Sequence, residues 1–464
     1  MNTDKFLFSL VGRSSYDREM ASVRSGYRAM LVNILETILD RYDRNPEYHF
    51  IDTKFSLITG QDFADDDPVR GKNTIYSWIQ GRGLEALAGH IRWLQQDPEF
   101  CPEETGPLIR RSRRVLAEVF SSMESLRSLN GGRLYFFMTP AGQALRMDSH
   151  GHVVPYNLQP DSPSNFSDLF YIKGMAAAAY TLGLKEKLIE SMQWFQKLHN
   201  DIKTGNFVTD QQQLDPKNTA ARFVEDRNAH GVYMISISAI ALFLKCGGNP
   251  EFKQAGFEFL DHVLSNYVNL DGKSPLSEKY DMWEFVNKNG DPFIDERNVL
   301  LNDPGHACEF SGISMDMIDA MENHTALNEA EQNKIKMYKQ ILPEMIKKNF
   351  SNGFSAEGRG ISKAVDLISR KTINSDMPWW SLPETMRAAA FARHYVPAEK
   401  KACFEEIIAK CSNAFIQNYV QPELNQMAFQ VIDKNGIPVN TIPATPDADP
   451  AYHTGLSLID FLRK

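Results

Sequence analysis

In the stretch NDPGHACEFSG (Asn302–Gly312) a histidine follows a Pro-Gly pair and a glutamate follows three residues later. An imidazole changes charge near neutral pH, so His306 is suited to taking or giving a proton. Glu309, one helical turn on, shares its face and could orient the ring, or the two could form half of a metal site. No HExxH and no carboxylate-rich partner follows, which favours proton transfer over a metal. Similar side chains stand at the starts of other apolar-periodic segments. His230 lies in DRNAHGVYMISI two residues after Asn228, and Glu384 lies in PWWSLPETMRAA behind Trp379 and Trp380. His453 lies in DADPAYHTGLSL, and Arg82 in YSWIQGRGLEALA beside Trp78 and Gln80. Taken singly, each has a plain reading. A histidine at a helix start is commonly a hydrogen-bonded structural residue, and a Trp pair is commonly core. Aromatic planes beside acid, base and guanidinium groups also suit the apolar face of a sugar ring. His150 and His152 of DSHGHVV resemble a strand-borne metal pair, but read better as decoration on a hairpin.

Apolar residues recur at helical spacing in twelve segments, which start near Tyr16, Ile75, Gly106, Asn165, Leu184, His230, Pro250, Gly305, Asn328, Pro383, Ala398 and Ala451. Start signals support several: Asn165 and Asn328 stand ahead of periodic runs, and Pro383 sits in a first turn. The connections alternate. Even-to-odd gaps are short, as in LGLK and GGNP, whereas odd-to-even gaps run to roughly 30 residues against a usual 4–6. The long ones contain hairpin-like sequences with Gly or Asn-Gly at the turn: NGGRLYFFMTPAGQAL, FVNKNGDPFIDERN and FQVIDKNGIPVN. Six helical hairpins whose even helices all start from one end predict an all-α (α/α)6 barrel, an α/α toroid. Its long loops and short hairpins gather on the rim where the inner helices begin, and residues 1–464 form one catalytic domain. An open α-solenoid is the alternative. In the barrel, the side chains named above converge on one mouth, the expected place for a site.

Composition narrows the classes. Hydrophobic residues make up 42% of the 464, enough for a globular core. The net charge of −9 and the lack of a long basic run argue against nucleic acid and anionic membrane as partners. The densest basic cluster, LIRRSRRVL, reads as the wet face of an amphipathic helix. Five scattered cysteines without a CxxC pair suit reduced thiols, and neither a leader-like N-terminus nor a membrane-length apolar run is found. The expectation is a cytoplasmic protein, with a homodimer left open.

Four stretches together resemble a known family. PGHACEF resembles the Gly-His-x-x-Glu signature of the N-acylglucosamine 2-epimerase superfamily, WIQGR its Trp-x-x-Gly/Gln-Arg helix, PWWSLPE its Trp-Trp-x-x-x-Glu segment and PAYHTG its C-terminal histidine. They occur in order from residue 78 to 453. The resemblance implies an (α/α)6 barrel acting on the open chain of an aldose, N-acetylated or at an oligosaccharide reducing end. His306 and His453 would be the two bases that move the C2 proton through an enediolate, and Arg82 would stabilise charge on O1. His230 would assist ring opening. Glu309 would hold His306 or touch a hydroxyl, and Glu384, Trp78, Trp379, Trp380 and Asn228 would bind the sugar. No metal or nicotinamide is implied. The chain departs from the family at His230, where Met is missing before the histidine and Tyr233 replaces a glutamate, and after His453, where TGLSLID lacks a basic residue. The rivals are a glycoside hydrolase or lyase with a carboxylate pair drawn from Glu309, Glu384, Asp168 and Asp226, and a non-catalytic carbohydrate- or protein-binding member.

Overall fold

The computed structural model describes residues 6–9, 16–159, 161–212, 214, 224–248, 250–440 and 448–464. The N-terminal stretch read for a leader lies largely outside them. Among the described residues are twelve α-helices: α1 (Tyr16–Arg44), α2 (Ser77–Gln96), α3 (Pro102–Leu129), α4 (Phe166–Leu182), α5 (Lys185–Lys203), α6 (Gly231–Lys245), α7 (Glu251–Tyr267), α8 (Pro304–His324), α9 (Glu329–Gly353), α10 (Ser381–Tyr395), α11 (Ala398–Asn418) and α12 (Ser457–Arg463). The alternation of long and short connections holds throughout. α3 starts before the predicted Gly106 because Pro102 fits a first helical position, where its missing N–H costs nothing. The last helix starts later than expected, because a π-helical turn, Tyr452–Leu456, precedes it. No described helix is long and apolar enough to cross a membrane.

Burial separates the even helices from the odd ones. On α4 every residue from Ser167 to Ala179 is buried, and on α10 every residue from Ser381 to Ala392. By contrast α5 buries little beyond Ser191, Phe195, Leu198, Asp201 and Ile202. A helix covered all round is an inner element and a helix with one apolar stripe an outer one. The RRSRR cluster lies on outer helix α3, where Arg111 and Arg114 pair with Asp40, Asp43 and Glu118.

The chain forms two compact units. One comprises Leu31–Arg222 and Thr441–Leu456. Here inner helices α2 and α4 pack on each other, backed by α3 and α5. They meet backbone to backbone: a Cβ on Gly174 would stand 2.4 Å from the Gly81 carbonyl oxygen. Above them Ile75–Tyr76 pairs with Phe137–Met138, then with Ala144–Met147 and Val153–Pro155, and Ser164–Asn165 pairs with Phe207–Val208. The hairpin expected in NGGRLYFFMTPAGQAL is therefore present. His150 and His152 sit exposed on its next turn, their backbone N–H groups held by Asp148.

The other unit comprises Met1–Met30, Phe223–Asn440 and Ser457–Lys464. Inner helices α6, α8, α10 and α12 pack in succession, with α7, α9 and α11 outside. Asn228–Ala229 pairs with Phe285–Val286, Leu301–Asn302 with Ala364–Asp366, and Met377–Pro378 with Val431–Ile432. Bridges Val286–Pro292 and Ile432–Pro438 close the two other expected hairpins. In each unit, then, the long loops of successive helical hairpins are stitched to one another by two- or three-residue strands.

Candidate active site

The stitching fixes a carboxylate that the sequence reading did not single out. Phe285–Val286 pairs with the strand immediately before His230, and the N–H of Glu284 donates to Leu301 O at 2.8 Å, just before the loop delivers His306. Glu284 is thereby set between the two histidines. Its Oε2 lies 3.2 Å from His230 Nε2, and its two oxygens lie 3.0 and 3.2 Å from His306 Nδ1. His230 is buried, and its Nδ1 has no hydrogen-bond partner among the described residues. These contacts make His230 Nε2–H a donor to Glu284.

His306 is presented by the start of α8. Asp303 caps that helix, its Oδ1 accepting from the N–H groups of Gly305 and His306 at 3.1 and 3.2 Å, and Pro304 takes the first helical position. Gly305 is required by crowding: a Cβ there would stand 2.9 Å from Ser381 Cβ and 3.1 Å from the Trp380 ring. The other oxygen of Asp303 lies 3.2 Å from His306 Nδ1 and 2.6 Å from Lys363 Nζ. The imidazole stacks on Trp380, ring centroids 5.0 Å apart at 23°, and Lys363 Nζ lies 5.1 Å from the same indole centroid. The side chain of His306 is 28% exposed, and its Nε2 has no protein partner among the described residues.

Charge decides what this ring can do. Burial opposes a charged imidazole, but the carboxylates of Asp303 and Glu284 outweigh it and raise His306 to about 9. Burial would likewise raise Glu284, yet the imidazoles of His306 and His230 hold it well below the usual carboxylate range. At neutral pH His306 is an imidazolium with one N–H clamped and the other directed away from the clamp. Because this pKa is raised on folding, the stability it contributes is complete below about 6.5 and is lost as pH rises through about 9. At 1.36 kcal/mol per unit this amounts to roughly 3 kcal/mol. Urea midpoints at pH 6 and pH 10 should show the fall in the wild type and not in His306→Asn; equal falls in both would remove the assignment.

The other expected residues are placed as follows. Glu309 is buried on α8 and is not a partner of His306, whose Nδ1 is held by Glu284 and Asp303 instead; the corrected orienting group is a loop carboxylate. Glu384 is buried on α10, accepts from Ser457 Oγ at 2.8 Å and is ion-paired with Arg387. Glu309 and Glu384 each bring a carboxylate oxygen to within 4.8 Å of the other. Of the tryptophan pair, Trp379 is buried and Trp380 half-buried, with His306 on one face. Asn228 is exposed on its strand. Asp168 is wholly buried and paired with Arg133, and exposed Asp226 pairs with Lys288 at 3.5 Å. Neither is placed as a glycosidase carboxylate.

In the unit containing α2 and α4, the Arg82 guanidinium lies 4.4, 5.5 and 5.9 Å from the ring centroids of Phe170, Tyr452 and Trp78. It has no carboxylate ion pair among the described residues, so its charge is available to an anion. Trp78 is enclosed by Phe136, Phe166 and Phe170 and serves as a wall for the guanidinium. Gln80 is structural, bonded through its amide to both backbone groups of Ile51. His453 is buried on the π-helical turn, where the N–H groups of Tyr452, His453 and Thr454 converge on the Asp449 carboxylate at 2.9, 3.3 and 3.0 Å.

His230, Glu284 and His306 each offer a ligand atom within 4.8 Å of the others. Direct hydrogen bonds already account for that spacing. A metal-bound histidine also normally donates its second N–H, and His230 Nδ1 has no partner for one among the described residues.

No family model matches the chain, and no curated protein matches it by sequence. Solved structures do match. A sugar epimerase from a ruminal bacterium superposes at TM-score 0.66 and 12% identity, over 95% of this chain and 98% of that one. D-mannose isomerase matches at 0.60 and 13%, over 92% and 97%. A protein described as a possible member of the GH105 family, from Salmonella enterica subsp. enterica serovar Paratyphi A, matches at 0.53 and 12%, over 95% and 94%. Likeness at such identity establishes the fold and leaves the reaction to the residues. The resemblance read from four short motifs is met at that level: the chain has the all-α (α/α)6 barrel fold of the sugar epimerases and isomerases.

Proposed function

We propose that the protein is a carbohydrate 2-epimerase or aldose–ketose isomerase that moves the C2 proton of an open-chain aldose. The observation that carries this reading is His306, a partly exposed imidazole clamped at Nδ1 by two carboxylates and backed by an indole, with Nε2 directed away from the clamp. A positioned acid of this kind contributes roughly 10²–10⁴-fold to a proton transfer.

In this reaction a base removes H2, and the C2–H electron pair moves toward C1 to leave an enediolate. The charge on O1 falls to a fixed cation, for which Arg82 is suited because it has no carboxylate ion pair among the described residues. His306 Nε2–H then returns a proton. Delivery to the opposite face of C2 gives the epimer, and delivery to C1, with the O2–H proton passing to O1, gives the ketose. The resemblance assigns the abstracting base to His453. The raised pKa of His306 refines the two-base expectation, since His306 enters the forward reaction as the acid. His230, engaged by Glu284, serves in this reading as a brace for that carboxylate, a role different from the ring opening expected from its family counterpart.

The pair Glu309 and Glu384 supports a second reading, a retaining glycoside hydrolase, whose carboxyl groups stand about 5–5.5 Å apart. One experiment separates the two. N-acetylglucosamine, D-mannose and cellobiose are incubated with the protein in D2O, and H2 is followed by NMR. Exchange or migration of H2 is the expected result. New reducing ends without exchange would establish the hydrolase, and neither would leave a binding protein.

A further inference from the structure

A lysine on inner helix α4 is unused by this chemistry. Lys173 stands in FYIKGMAAAAYTL, a run otherwise apolar apart from small polar residues, and is fully buried. An ammonium in such a place requires partners that offset its lost hydration. It has two: Glu85 Oε2 of α2 at 3.0 Å and Tyr452 Oη at 2.8 Å. Burial works against its charge, and Glu85 and Tyr452 outweigh burial, holding the ammonium above the usual lysine range.

Tyr452 opens the π-helical turn and is the neighbour of His453, with the two rings edge to face at 5.0 Å. The turn is irregular at every step. Ala451 before it has φ +62°, a left-handed conformation uncommon for a residue with a Cβ. Its first three N–H groups share one carboxylate, Asp449. Gly455 faces the buried ring of His90, where a Cβ would lie 2.4 Å from Cε1. π-Turns concentrate at functional sites because they aim a side chain that a regular helix would turn elsewhere. Such a turn is held by what ties it down. At Tyr452 the tie is Lys173, and the same phenol ring lies 5.5 Å from the Arg82 guanidinium.

We infer that Lys173, with Glu85 behind it, is a positioning residue that fixes through the Tyr452 hydroxyl both the turn bearing His453 and the aromatic wall beside Arg82. The inference rests on the reading of His453 as the abstracting base. Lys173 itself touches no reacting atom; it sets the angle from which the imidazole approaches. Displacement of a catalytic group by about 1 Å can cost 10²-fold.

The test uses the full-length protein and whichever of D-mannose, N-acetylglucosamine or cellobiose the wild type exchanges. Tyr452→Phe deletes the hydroxyl and keeps the ring, so it folds even where Lys173→Met, which leaves Glu85 without its partner, does not. The expected result is a kcat lowered about 10²-fold in Tyr452→Phe, with KM within about twofold. Lys173→Met should match it, and the double variant should be no slower than either single one, because both cut the same tie. A merely structural role would lower the melting temperature and leave kcat alone. Wild-type kcat in Tyr452→Phe, with exchange abolished in His453→Asn, would overturn the positioning role and leave the base intact. Full exchange in His453→Asn would remove the base reading and this inference with it.

Discussion

Replacing His306 by asparagine is expected to cut C2–H exchange by roughly 10²–10⁴-fold with little change in fold. Asparagine keeps a donor near Glu284 and occupies part of the space against Trp380, so the loss reports the missing titratable group. The pH profile sharpens the test. An acid with a pKa of about 9 stays competent through neutral pH and fails above it, which places the alkaline limb of kcat near that value. Glu284→Gln removes one of two carboxylates from the ring. Asp303 remains and still holds the ring's charge, so the limb should move down by about one unit without reaching the value of about 6.5 for free imidazole. Adding Asp303→Asn should bring it most of the remaining way. An alkaline limb that stays in place in Glu284→Gln, or a His306→Asn rate within threefold of wild type, would show that His306 is not the acid.

The second large effect is on stability. Gly174→Ala should lower it by about 3 kcal/mol, at the upper end of the usual range for overpacking. The new Cβ would stand 2.4 Å from the carbonyl oxygen of Gly81 and 3.0 Å from its carbonyl carbon and Cα. These are backbone atoms of a buried inner helix, so no side chain can swing aside, and the two helices must part. A fall of roughly 6–12 °C in melting temperature follows from 2–4 °C per kcal/mol in a unit of this size. Gly106→Ala supplies the contrast. It lies within α3, and beyond its own chain neighbours and helix backbone its Cβ would meet the tip of Arg110 at 3.3 Å. Alanine there should change stability by less than about 1 kcal/mol, since the gain of about 0.5–1 kcal/mol from replacing a helical glycine is offset by the restriction that Pro107 places on a Cβ before it. Similar melting temperatures for the two variants would mean that α2 and α4 are not in backbone contact.

The helices were legible because their evidence is local. Periodicity, the caps at Asn165 and Asn328 and the beat of short and long connections belong to each segment separately, and they placed ten of the twelve starts within two residues. His230 and His306 were legible too, because a reactive side chain at a helix start leaves a local mark. Glu284 left none of that kind. Its position depends on two-residue strands pairing across loops, too short for an alternating pattern to show. Its signal was different: a lone acid within Met-Trp-Glu-Phe-Val, where a carboxylate cannot be buried without partners. Lys173 carries the same signal within its apolar run. Asp303 was readable from Asp-Pro-Gly, a cap followed by proline, but its second oxygen turning to His306 was not. The attention given to Glu309 followed from helical spacing alone, and spacing says nothing about what a loop brings in from the side.

Asp303 sets a narrow rule for what its position can hold. One oxygen closes the first turn of α8 and the other faces the imidazolium and Lys363. Asparagine would preserve the turn and abolish the charge. Glutamate would retain the charge on an arm too long to close the turn. Either change separates two properties that a single short carboxylate secures together, so a substitution here keeps the helix start or the charge beside the imidazolium, but not both.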